Sequence, residues 1–374
     1  MKPTPLTLPL YAKFALILLS LTIITVTLFY GQTILIPLVL ALLFAILLRP
    51  VELFLNKKFR FPAALAALTS VVLSVLLMTA LILFISWQVS DITDDWAKIK
   101  QNFSIHYERV QSWVRQRYHV SYNKQQSYIN QVAQGTLNGD SEILGKTLNS
   151  FTGTLLNLIL IPIYTFLILL YREMFVQFLS KIVHKKNEHT LAEILSQIKT
   201  VVQRYIIGLF IQMGIVTILT SVGLMILGVQ YAVLLGVITA VLNLVPYIGI
   251  LAAGIISILA TLGNSTDISL MLGIVILNMV VQLIDNNIVA PNIVGNKVRI
   301  NALTTMVGVI IGGVLWGIPG MILSIPVTAI IKVIFDHIES FKPYGFLLGN
   351  VAPPPSKFTF IKKKKNNDDS STKQ

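Results

Sequence analysis

Long uncharged apolar runs set the pattern of this chain. Phe14 to Leu48, Phe61 to Ser90, Asn149 to Tyr171, Tyr205 to Leu262 and Ala302 to Ile331 contain no Asp, Glu, Lys or Arg. Roughly 20 apolar residues suffice to cross a hydrocarbon core, so the runs predict several crossings. They are apolar on every face. Transmembrane strands would instead alternate in segments of about 10 residues, so the runs read as helices. The spacing predicts helices over 14–30, 33–48, 61–89, 151–171 and 205–227, and a further one over 268–284.

Two runs are interrupted at their centres. Tyr231 to Leu262 is broken by NLVPYIG, Asn243 to Gly249, and Ala302 to Phe335 is broken by GGVLWGIPG, Gly312 to Gly320. Proline removes a backbone donor and glycine frees the backbone, so each run predicts a broken helical hairpin. The hairpins enter from opposite sides, the arrangement of an inverted repeat. The expected fold is an all-α polytopic membrane protein with about eight transmembrane segments, two of them broken helical hairpins, and an extracytoplasmic helical cap.

Charge then orients the helices. Lys2 and Lys13 precede the first run, and Arg49, Lys57, Lys58 and Arg60 form the densest short basic loop. The positive-inside rule puts both in the cytoplasm. Asp91 to Lys146 then lies on the far side; its IKQNFSIHYERVQSWVRQRY predicts an amphipathic cap. Arg172 to Arg204, rich in lysine, predicts a cytoplasmic amphipathic helix. The expected divisions are the N-terminal helices (1–90), the cap (91–150), the fourth helix with the cytoplasmic amphipathic helix (151–204), a transport core with both hairpins (205–340) and a disordered basic tail (341–374). Both termini are expected on the cytoplasmic side.

Composition agrees: 12% charged, 55% hydrophobic and a mean hydropathy of +0.76 depart far from a soluble domain. A cleaved signal peptide is not expected, since a second apolar run begins directly after Gly31. The net charge of +13 gathers in loops beside apolar runs, which argues for topology signals and membrane lipid rather than nucleic acid. With no cysteine, neither disulfides nor thiolate metal sites exist.

Two motifs of enzymes fall short. GDSEILGKT, Gly139 to Thr147, has five residues between its glycines where a phosphate loop needs four. His106, His119, His184, His189 and His337 fall in or beside loops, with no H-E-x-x-H. No enzyme, cofactor or metal site is expected.

The candidate chemistry lies between the hairpins, in QLIDNNIVAPNIVGNKVRIN. Asn278, Gln282 and Asp285 stand at i, i+4 and i+7, so a helix lines them along one face, with Asn286 beside them. An ionisable group at the bilayer centre costs about 2.5 to 3.5 kcal/mol on insertion scales, and such groups face a protein interior or a wet cavity. Asp285 is expected to share a polar cavity with Gln282 and Asn286. A plain helix cap at the cytoplasmic surface is the other role open to it, and a simple kink the other role open to Asn243 with Pro246. Half-helix ends at Pro246 and Gly320 would present unpaired backbone groups to a solute.

Together these pieces carry a resemblance. Asn243, Pro246, Tyr247 and Gly249, then Asp285, Asn286, Pro291 and Gly295, then Gly312, Gly317, Gly320 and Pro326 are similar in order and spacing to the autoinducer-2 exporter family of bacterial inner-membrane permeases. The chain departs from the family's usual pattern at Asn301 with Ala302 (His-Pro), at Ile250 (proline) and at Tyr171 to Glu173 (aspartate). The resemblance implies export of a small polar solute such as autoinducer-2, or alternatively sodium or lithium/proton antiport. It also implies homo-oligomers, pentamers among them.

Overall fold

A run without charge or water-facing polar groups must satisfy its backbone internally once in lipid, and a helix does so within one segment. In a computed structural model, which describes residues 9–94, 101–102, 105, 112, 159–245, 248–262, 265, 267–295 and 300–350, the described parts of the apolar runs are helical apart from short turns. The described part has no strand, only an isolated bridge between Ile300 and Gly349. The expected cap, apart from a few residues, and the tail beyond residue 350 lie outside the described residues.

The N-terminal helices are α1 (Leu10–Tyr30), α2 (Gln32–Phe59) and α3 (Ala63–Asp94). α2 runs on through Pro50 and stops only at Arg60, whose left-handed φ of 55° closes the helix. α1 has no buried residue; Phe14, Ile17, Leu21 and Ile24 all point outward, as suits a helix solvated by lipid. α4 (Ile159–Leu170) bends by 64° into α5 (Arg172–Ile182). α5 keeps Phe175, Phe178 and Ile182 exposed and buries nothing, the profile of a helix lying along a membrane surface.

α6 (Glu188–Ile226) is one continuous helix of 39 residues, about 58 Å long at 1.5 Å per residue. It crosses the boundary that the charge pattern draws between Arg204 and Tyr205. No proline stands near that boundary, and Gly208, one turn past it, is buried inside the continuous helix, so the last charge marks the membrane surface and not a helix end.

Beyond α6, Gly228 with φ +77° turns the chain into α7 (Ala232–Leu242), which is followed by α8 (Ile248–Thr261). At about 16 and 21 Å, neither arm spans a core of about 30 Å. They pack on each other as a hairpin. Its tip is tight: a Cβ at Gly249 would lie 1.9 Å from the Leu242 carbonyl oxygen. Leu224, Leu234, Leu235, Ala260 and Ile274 form one buried cluster, which fixes α6, α7, α8 and α9 (Ile268–Ile284) around a common core.

α9 continues as two π turns, Asp285–Val289 and Pro291–Gly295. A proline inside an α-helix clashes with the carbonyl four residues back, and the wider π turn relieves that clash at Pro291.

α10 (Ala302–His337) has the length and composition of a single span, but Gly317 sits at φ 62°, ψ −142°. A Cβ at Gly308 would lie 3.2 Å from Thr328 Oγ1, and one at Gly320 would lie 2.0 Å from the Gly312 oxygen. In a straight helix Gly308 and Thr328 would stand about 30 Å apart. α10 is therefore doubled back at Gly317, and its arms are the second hairpin. This corrects the expected turn at Gly320, which is buried three residues later and packs against Gly312.

The chain ends, as described, in α11 (Lys342–Leu348), folded against α10. Asn301 Nδ2 donates to the carbonyls of Leu347 at 2.7 Å and Gly349 at 3.1 Å, and its Oδ1 accepts from Thr304 N at 2.7 Å. The first residues of the expected tail are thus a helix that clamps the start of α10. Six helices in the described part are long and apolar enough to cross a membrane, and the protein is a multi-pass membrane protein.

Candidate functional site

Val216 on α6, Ala240 on α7 and Val281 on α9 form a buried apolar trio. One helical turn from each stands a polar residue: Gln212, Asn243 and Asp285. The packing of the trio thereby brings three polar side chains together. Asp285 is 2% exposed. Gln212 Nε2 donates to both of its carboxylate oxygens at 2.9 Å, and Asn243 Nδ2 donates to Oδ2 at 2.9 Å. Among the described residues no lysine, arginine or histidine nitrogen lies within 4.0 Å of the carboxylate.

The depth of this site follows from α6. Gln212 stands eight residues past Arg204 and fourteen before Ile226, about 12 Å and 21 Å along the axis. Asp285 therefore lies inside the apolar layer, not at its surface as a cap. Hydrogen bonds to a charged acceptor contribute about 1.5 to 3 kcal/mol each, and they offset part of the several kcal/mol that burial of an ion costs. With the two amides turned, their oxygens and the carboxylate form a set of hard ligands for a small monovalent cation.

The expected sharing of one cavity by Asp285, Gln282 and Asn286 is not what the helix does. Gln282 Nε2 donates to Asn286 Oδ1 at 2.9 Å on the outer side, and these two line a separate groove with Asn278 against α8. Ile274, Asn278, Val281, Asp285 and Val289 form the buried stripe; Gln282 and Asn286 flank it. Asp285 faces α6 because α6 packs on that flank and α8 on the other.

The remaining sequence candidates fall in different places. Gly249 forms the tip of the first hairpin; Pro246 and Tyr247 lie outside the described residues. Pro291 and Gly295 belong to the second π turn, exposed at Pro291. Gly317 is the exposed turn of the second hairpin, and Gly320 and Pro326 are buried in its second arm. None of these three hydrogen-bonds Asp285. Gln212 was missed by the sequence reading. Its signal is its place, a lone carboxamide within the uncharged run Tyr205 to Leu227.

The model of one protein family, described as AI-2E family transporter, matches residues 16–340. The chain is 31% identical over 133 residues to "Putative transport protein YrrI" of Bacillus subtilis, a stretch covering 36% of this chain and 37% of that protein. It is 32% identical over 145 residues to a Haemophilus influenzae protein named only as a transport protein, covering 37% and 40%. It is 29% identical over 128 residues to "AI-2 transport protein TqsA" of Escherichia coli, covering 33% and 36%. The chain thus spans little more than a third of the length of these relatives.

Proposed function

Because this chain belongs to the AI-2E transporter family, we propose that it is a secondary transporter that exports a small polar solute, with Asp285 taking up the coupling proton or monovalent cation. The observation that carries this reading is a carboxylate, 2% exposed and deep in the apolar layer, held among the described residues by the amides of Gln212 and Asn243. Intramembrane acids with neutral partners mark ion and proton pathways. Asn243 stands at the tip of a hairpin too short to span the membrane, so the site links a fixed helix, α6, to a broken element of the kind that moves in transporters.

The solute is of the autoinducer-2 kind; the support is the likeness to TqsA, a protein named for AI-2 transport. The reading includes a bacterial inner-membrane location with both termini inside, supported by the basic loop at Lys57, Lys58 and Arg60. It includes a homo-oligomer and no catalytic role. The test uses purified protein in liposomes with an imposed pH gradient, supplied in turn with autoinducer-2, sodium and lithium. Gradient-driven movement of the furanone supports the reading. Proton flux that answers to sodium or lithium but never to the furanone contradicts it.

A further inference from the structure

Asp285 belongs to the buried stripe of its helix, and the side of that stripe toward α8 carries polar groups that the coupling site does not use. Asn278, Gln282 and Asn286 stand at i, i+4 and i+8 and line a groove of about 530 Å³, whose far wall is α8 around Gly254. The size is that of a small-molecule site. No charged residue lines it. Asn278 is 8% exposed, and its Nδ2 has no hydrogen-bond partner among the described residues. That atom points at α8, where a Cβ on Gly254 would lie 3.8 Å away. A buried amide donor left unpaired in an apolar surrounding is costly, and such groups call for an explanation. The bond from Gln282 Nε2 to Asn286 Oδ1 leaves Gln282 Oε1 as an acceptor and Asn286 Nδ2 as a donor.

We infer that this groove is the solute site, separate from the coupling site at Asp285, and that it takes a small uncharged solute whose hydroxyls meet the three carboxamides and whose carbon faces meet the apolar remainder of the lining, Leu251, Ile255, Met279 and Leu283 among it. The inference deepens the transport reading above and rests on it. Three carboxamides offer both donors and acceptors to hydroxyls, and the absence of a charged lining disfavours ionic solutes. Asn278 Nδ2 is sealed against α8 in this structure, and a small outward shift of that wall lets a bound hydroxyl oxygen supply its missing acceptor. The first hairpin joins the two sites: its tip residue Asn243 holds Asp285, and its second arm, α8, is the wall of the groove. A change in the hairpin's position is therefore felt by ion and solute alike.

The chain has no native cysteine, so single cysteines report the groove directly. In inverted vesicles, cysteines at Gln282 and Asn286 should react with a small cationic methanethiosulfonate reagent. Cysteines at Ile276 and Val280, exposed on the lipid side of the same helix, should react at least tenfold more slowly. Millimolar autoinducer-2 should slow labelling at Gln282 several-fold. Equal reactivity at all four positions, absence of protection by the furanone, or ready disulfide cross-linking between two copies through Gln282 would each overturn the assignment. Asn278→Leu should lower furanone export tenfold or more while the residual flux keeps its dependence on the pH gradient. Should Asp285→Asn retain that dependence while the groove labels and protects as described, the coupling reading fails and the groove stands.

Discussion

Asn243 Nδ2 donates to Asp285 Oδ2 at 2.9 Å and so joins a hairpin tip to a buried acid 42 positions further along the chain. Among the described residues the carboxylate has one other partner, Gln212. Neutralising the acid weakens the acceptor that two amides share, so the charge on Asp285 and the hold on the hairpin tip are linked.

Replacing Asn243 with leucine keeps the size and removes the donor. Loss of a hydrogen bond to a charged group costs about 1.5 to 3 kcal/mol, and the tip is released. The expected outcome is a lower thermal midpoint in detergent and faster hydrogen exchange over residues 241–245 than in the wild type. Exchange at the wild-type rate would mean that the bond does not hold the tip.

Gly320→Ala and Gly317→Ala separate packing from turning. At Gly320 the new methyl meets the Gly312 carbonyl oxygen at 2.0 Å, so backbone must shift. At Gly317 the surroundings are open but φ is +62°, and such backbone strain costs about 1 to 3 kcal/mol. Folded yield and thermal midpoint should fall for both, more steeply for Gly320→Ala. A Gly320→Ala protein as stable as the wild type would mean that the two arms do not pack as described.

Much of this was legible in the sequence, for physical reasons. Uncharged length gave the helices, and proline with glycine gave both hairpins. An ionisable residue between apolar runs marked Asp285, and a carboxamide at a helix break marked Asn243. What the periodicity could not give is which neighbour packs on which flank. Asp285 and Asn286 are 100° apart on a helix, so with α6 on one flank and α8 on the other they meet different neighbours. Gln212 went unnamed because its meaning depends on that same packing. The turn at Gly317 was misplaced to Gly320 because both are glycines near one proline, and only backbone geometry separates the turning residue from the one that lets the arms touch.

Trp316, beside the second turn, donates from Nε1 to the Leu28 carbonyl oxygen at 2.9 Å. α1 buries no residue of its own, so this bond is a principal tie between it and the rest. Trp316→Phe removes the donor and keeps the ring, at about 1 kcal/mol. Limited proteolysis near the N-terminus should quicken, with the remaining helices unaffected. An unchanged digestion pattern would show that α1 is held by other means.

Ser269, exposed in the first turn of α9, and Lys58, exposed at the end of α2, should lie on opposite sides of the membrane. A cysteine at Ser269 should react with an impermeant thiol reagent on intact cells, and one at Lys58 only after permeabilisation. The reverse pattern would invert the orientation.

The account's central claim is that Asp285 carries the coupling charge, and Asp285→Asn tests it most directly, because it keeps the size and removes the ionisable group. Gradient-driven export of autoinducer-2 is measured in inverted vesicles across a range of pH for wild type and mutant at matched amounts of inserted, correctly assembled protein. The account predicts that the wild type responds to the imposed gradient and that the mutant does not, its residual flux flat with pH. Wild-type flux with an unchanged pH profile in Asp285→Asn would contradict it.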